Sequence, residues 1–134
     1  RQERAGLTVQ FAAEMGEERL PQDLETTCFR LVQEALTNAT RHAQAKYAWV
    51  ELRQGHDEIQ ITVRDDGIGF DVEAGLQRAA KGASLGLPAM LERAALAGGT
   101  VAIDSAPGRG CEIKARFPLI APAAQEDVVM EGSV

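Results

Sequence analysis

Between Glu58 and Phe70 the chain carries a period-two run that ends on an acid and two glycines, and no other stretch limits its fold as tightly. Ile59, Ile61 and Val63 alternate with Gln60, Thr62 and Arg64, the pattern of a strand with one face buried. Such a strand delivers Asp65 to its own C-terminal end. There Gly67 and Gly69 let the backbone turn tightly and approach a neighbour with no Cβ in the way. The chain must therefore build a sheet, with a carboxylate and an open turn on its rim.

The flanking patterns say what covers that sheet. Leu7, Val9, Phe11 and Ala13 alternate as a short strand, and a polar stretch follows from Glu14 to Arg19. Pro21 opens a helix, because its missing N–H is harmless in a first turn. From Asp23 to Ala43 the apolar positions Leu24, Cys28, Leu31, Val32, Ala35, Leu36, Ala39 and Ala43 recur at three and four, which predicts the longest helix of the chain. Its polar side carries Gln33, Glu34, Thr37, Asn38, Arg41 and His42. A strand over Tyr47 to Leu52 turns at Gly55-His56-Asp57 and returns as Glu58 to Arg64.

Residues Asp71 to Ser84 are rich in small and polar types, and their weak periodicity fits either a short helix near Val72 to Ala79 or a mobile loop. Leu85 to Ala97 reads as a second helix, with Leu87, Met90, Leu91, Ala94 and Leu96 apolar and Gly98-Gly99 at its end. A second hairpin follows, Thr100 to Asp104 and Glu112 to Phe117, around Ala106-Pro107-Gly108-Arg109-Gly110. The expected fold is α/β, a two-layer sandwich of one mixed sheet with helices on one face and the other face half exposed. Residues 1–119 are read as one domain and 120–134 as an acidic tail or linker. Arg1 to Arg4 read as helix-like, and the missing initiator Met fits a piece of something longer.

Composition narrows the ligand. A net charge of −6 argues against a nucleic-acid or anionic-membrane surface, so any phosphate contact must be local. Aromatics make up only 4%, which predicts an aliphatic core and speaks against base stacking on exposed rings. Cys28 and Cys111 show no metal-ligand spacing and are expected as free thiols in a reducing compartment. No apolar run is long enough to span a membrane and no leader opens the chain.

Chemistry-bearing residues recur in a fixed order. Glu34 and Asn38, four residues apart on a helix, project on one side about a turn from each other. An acid and an amide so placed can hold Mg²⁺ and its waters, since that cation takes oxygen ligands and keeps much of its hydration. Arg41 and His42 lie one turn further, within reach of phosphate oxygens, although a histidine there also fits a capping role. Asp65 can accept hydrogen bonds from an exocyclic amine, and Gly67 and Gly69 leave room for a flat ring, a purine seat. Gly86 opens the second helix, whose N-terminal amides and dipole suit phosphate.

In this order the residues resemble the ATP-binding catalytic domain of bacterial sensor histidine kinases, in the superfamily that includes DNA gyrase B, Hsp90 and MutL. The run Leu31 to Ala43 resembles the asparagine-bearing box of the NarX-, DesK- and LiaS-like kinases, and Asp65 to Phe70 their first glycine box. Gly82 to Gly86 with Leu87 to Ala94 resembles the second glycine box, and Gly98 to Thr100 with Ser105 to Gly110 the closing hairpin. The resemblance covers Leu7 to Leu119 and implies the Bergerat-type sandwich, with a mostly antiparallel sheet. It implies that Asn38 binds Mg²⁺ directly and that Glu34 holds or polarises a magnesium water as the catalytic carboxylate. It further implies that Arg41 and His42 meet phosphate, that Asp65 accepts the adenine amine, and that Gly67 and Gly69 wall the pocket. Phe70 to Leu85 would be the lid, with Lys81 or Arg78 closing on the γ-phosphate, and Gly86 and Leu87 would touch phosphates through their amides.

The partners implied are a phosphoacceptor dimerisation domain of the same kinase and a response regulator, with this domain in the cytoplasm, free or as the cytoplasmic part of a membrane-anchored sensor, and without direct membrane contact of its own. The phosphoacceptor histidine of the family has no counterpart here, and Cys111 stands where the family usually has Thr. Arg41 replaces a frequent Lys, and Pro88 removes one first-turn N–H at little cost. A stand-alone anti-sigma-factor serine kinase fits Met90 to Ala94 less well. A degenerate docking domain would not need Glu34, Asn38, Asp65 and Gly86 intact.

Overall fold

The structure, a computed structural model, describes residues 2–4, 6–16, 19–73 and 86–119. In chain order it consists of β1 (Gln2–Arg4), β2 (Leu7–Glu14), α1 (Gln22–Arg41), β3 (Tyr47–Gln54), β4 (Glu58–Asp65), α2 (Leu87–Leu96), β5 (Thr100–Ser105) and β6 (Cys111–Pro118). The strands form one six-stranded sheet in the order β1-β2-β3-β4-β6-β5. Among the described strands only β2 and β3 run parallel, so their connection must cross over, and α1 is that crossover. The mixed α/β sandwich expected from the residue patterns is the fold observed.

Alternation sorts the sheet into two faces. Ala48 and Val50, Ile59, Ile61 and Val63, and Ile113, Ala115 and Phe117 are buried on one face, where α1 lays Leu24, Cys28, Leu31, Ala35 and Ala39. From α2 come Met90 and Ala94. Each fully buried Leu, Ile or Phe in such a core contributes about 1.5–3 kcal/mol relative to exposure. The opposite face is half exposed. On it Trp49 stacks on Tyr47 with ring centroids 6.4 Å apart, and the Arg64 guanidinium sits 4.6 Å from the Trp49 ring. The chain's one Trp and one Tyr thus lie outside a core that is mostly aliphatic.

One expectation is corrected. Gln2–Arg4 form a strand antiparallel to β2, with Gln2 opposite Val9 and Arg4 opposite Leu7. Gly6, at φ 87°, permits the tight reversal that brings them there, and backbone pairing overrides a helix-like composition. Leu96 is 82% exposed, because the buried stripe of α2 runs through Leu87, Met90 and Ala94 and places residue 96 on the other side. Both helices are slightly shorter than their apolar patterns, as frayed ends usually are. Val72 and Glu73 have helical backbone, and the remainder of the expected helix or lid lies outside the described residues.

Candidate functional site

The site is built along one edge of α1. Asn38 is the polar residue buried in this core, 9% exposed, and among the described residues its side-chain amide has no hydrogen-bond partner. Its carbonyl accepts from the N–H groups of both His42 (2.9 Å) and Ala43 (3.0 Å), which unwinds the helix at that point. Gln44 then takes a left-handed conformation at φ 54°, and the Ala45 N–H closes back on the Ala39 carbonyl at 3.0 Å. Arg41 and His42 sit exposed on this last turn.

The first glycine turn packs directly against that helix end. The Ile68 N–H donates to the Ala43 carbonyl at 2.8 Å, and a Cβ on Gly67 would overlap Ala43. Gly69 has φ 71° and lies so close to the carbonyls of Ala106 and Gly110 that no side chain fits. Asp65 stands at the end of β4, and its Oδ1 accepts from the Gly67 N–H at 2.8 Å. Burial pushes its carboxyl above the ordinary carboxylate range, against the opposing pull of the Gly67 and Cys111 backbone N–H groups. Asp66 has a separate, structural use: its Oδ1 accepts from the N–H groups of Lys46 and Tyr47, both at 3.0 Å, and fixes the start of β3.

The second glycine position meets the other end of the same edge. Gly86 has φ 75°, caps α2, and lies against Glu34 so closely that a Cβ would overlap its carboxylate. Leu87 follows, fully buried, and anchors the first turn of α2. Asn38 therefore lies between two contacts, Gly86 on Glu34 one turn to its N-terminal side and Gly67 on Ala43 beyond its C-terminal side. One turn is about 5.4 Å, so both glycine turns contact the same C-terminal half of α1. Lys81, Arg78 and Gly82 lie outside the described residues.

Cys111 and Ser105 complete the rim. Register places Cys111 beside both Asp65 and Ser105, and burial raises its thiol to about 12, the Asp65 charge adding to the effect. Both cysteines are free and buried. Ser105 was not singled out by sequence, yet its hydroxyl accepts from the Phe70 N–H at 3.0 Å and donates to the Gly110 carbonyl at 2.6 Å. Its only sequence signal is its place at the end of a strand before the Gly-rich turn.

The oxygen donors on this side of α1 are of the kind a hard cation takes. Among the described residues no group of three or more His, Cys, Asp or Glu could hold a metal. What this side of α1 offers is the Asn38 amide, without a hydrogen-bond partner among the described residues, and the Glu34 carboxylate, oxygen donors that would leave most of a cation's shell to water and phosphate. That is how Mg²⁺ is commonly held beside a nucleotide.

A sheet backed by two helices, with an acid and glycine turns opposite a helix-borne Glu and Asn, defines a nucleotide-binding class of domain. The chain belongs to the histidine kinase-, DNA gyrase B-, and HSP90-like ATPase family, which it matches over residues 23–121. Its relatives within that family are sensor histidine kinases. An uncharacterized sensor-like histidine kinase of Chloroflexus aurantiacus is 41% identical over 102 residues, 75% of this chain and 17% of that protein. The histidine-protein kinase/phosphatase DegS of Bacillus subtilis is 36% identical over 82% of this chain and 28% of its own length. The oxygen sensor histidine kinase NreB of Staphylococcus carnosus is 38% identical over 85% and 32%. The chain thus spans a third or less of these relatives.

Solved structures agree on the fold. The blue-light activated histidine kinase of Erythrobacter litoralis EL346 superposes with a TM-score of 0.67 at 23% identity, over 90% of this chain and 38% of that one. The ATP binding domain of PrrB from Mycobacterium tuberculosis gives 0.63 at 21%, over 87% and 82%. Among the described residues no helix is long and apolar enough to cross a membrane.

Proposed function

We propose that this chain is the catalytic ATP-binding domain of a two-component sensor histidine kinase. It binds Mg·ATP and presents the γ-phosphate to a histidine on a separate dimerisation domain of the same protein, for onward transfer to a response regulator in the cytoplasm. The observation that carries this reading is the buried Asn38 amide, partnerless among the described residues, between the Gly86–Glu34 and Gly67–Ala43 contacts. A buried amide costs free energy unless something bonds it, and a hydrated cation on a triphosphate would.

The roles follow from position. Asp65 accepts the adenine amino group, and Gly67 and Gly69 let the ring approach the backbone. Asn38 and Glu34 hold Mg²⁺, Asn38 directly and Glu34 through water; when bound, the cation neutralises charge on the phosphates. Arg41 and His42 face phosphate oxygens from the last turn of α1, while the amides of Gly86 and Leu87 approach them from the N-terminus of α2. Of Arg78 and Lys81, one would supply a positive charge for the γ-phosphate. Catalysis of this kind is positioning and charge neutralisation, with the attacking imidazole supplied from outside.

Calorimetry with ATP, with and without Mg²⁺, tests the reading. Tight binding that needs Mg²⁺, lost on Asn38→Ala in a domain that still melts cooperatively, is the expected result. Wild-type protein that binds no adenine nucleotide would overturn it, and so would stable phosphate incorporation on His42 or His56 of the isolated domain.

A further inference from the structure

We propose that Ser105 is a positioning residue for nucleotide binding, holding the first glycine turn against the closing hairpin so that Asp65 is aimed at the base. The inference rests on reading Asp65 as the adenine acid.

The hydroxyl of Ser105 is used in both directions. It accepts from the Phe70 N–H, where the first glycine turn ends, and donates to the carbonyl of Gly110, where the β5–β6 turn ends. A hydroxyl has one proton and two lone pairs, so a single small side chain can close both bonds. Cys111 is the register partner of Ser105 on β6.

Gly110 connects this bridge to the acid. It has φ 71°, and a Cβ on it would overlap the Asp65 carbonyl, so its backbone rests on the residue that carries the carboxylate. The two turns also meet directly, the Gly108 N–H donating to the Ile68 carbonyl. Among these contacts Ser105 supplies the one side chain that spans both turns. Removing its oxygen leaves the Phe70 amide and the Gly110 carbonyl without this partner in a half-buried place, and lets the turns slide relative to β4.

Base and phosphate binding then separate. The triphosphate is read by the edge of α1 and the start of α2, neither of which Ser105 touches. Ser105→Ala should weaken Mg·ATP binding roughly tenfold while leaving the affinity for magnesium tripolyphosphate unchanged, and Ser105→Thr should restore ATP affinity. A merely structural role would weaken both ligands alike and overturn the proposal, as would unchanged ATP affinity in Ser105→Ala alongside a weakened Asp65→Asn. Should Ser105→Ala fail to fold, hydrogen exchange at the Phe70 amide of the wild-type chain decides: protection supports the bridge, and loop-like exchange refutes it. Wild-type protein that binds no ATP would instead refute the function proposed above.

Discussion

The carboxylate of Glu34 occupies the space where a side chain on Gly86 would begin. Gly86 is also left-handed, at φ 75°, so two separate constraints demand glycine at this position. Gly86→Ala should cost about 1–2 kcal/mol in backbone strain alone and displace the Glu34 carboxylate. Calorimetric melting should show the loss, and titration should show weaker Mg·ATP binding. Unchanged nucleotide affinity would remove the Glu34–Gly86 contact from the site.

Asp65→Asn keeps the shape and the Gly67 bond but replaces the charged acceptor. ATP affinity should fall by about 1–3 kcal/mol, roughly tenfold or more. Stability should not follow it down. Burial raises the folded pKa of Asp65, so its contribution to stability is complete below the unfolded pKa and is lost as pH rises through the folded value. The neutral amide escapes that loss, and the variant should melt no lower than wild type at neutral pH. Binding has the opposite sign: the ionised acid is the better acceptor, so ATP affinity should weaken as pH falls through the raised pKa, and Asp65→Asn should flatten that dependence. Titrations across the acidic range check both.

The thiols should be silent in the native state. Burial raises Cys28 to about 11, with Glu25 adding, and Cys111 to about 12, so neither is a thiolate at neutral pH. Alkylation followed by mass spectrometry should modify both only after unfolding. Fast modification of Cys111 in the folded domain would mean that the surroundings of Asp65 are open to solvent.

Core and surface should separate cleanly. Phe117 is fully buried between β4 and β5, and Phe117→Ala should cost about 3–5 kcal/mol. Leu96→Ser, at a position 82% exposed, should change stability by no more than about 0.5 kcal/mol. Denaturant melts of the two variants make the comparison.

The legible parts of this chain were those written in local periodicity. Ile59, Ile61 and Val63 announced β4 because a strand's faces alternate within a few residues, and Leu24 to Ala39 announced α1 in the same way. Residue types that do not name a partner were the ones that misled or stayed silent. Gln2–Arg4 carry no apolar period, and only pairing with β2 makes them a strand. The uses of Ser105 and Asp66 depend on backbone amides 35 and 20 residues away, which no window along the chain displays. The order Glu34, Asn38, Asp65, Gly86 pointed to a nucleotide, but that Gly86 rests on Glu34 itself is visible only in three dimensions.

Because β2 and β3 run parallel, the chain must travel the length of the sheet between them, and α1 makes that journey. Glu34 and Asn38 are therefore carried by an obligatory connection and not by a dispensable decoration. Loop exchange or circular permutation could re-route the hairpins at either end of this molecule, but any chain that still joins those parallel neighbours through this helix brings Glu34 and Asn38 along with it.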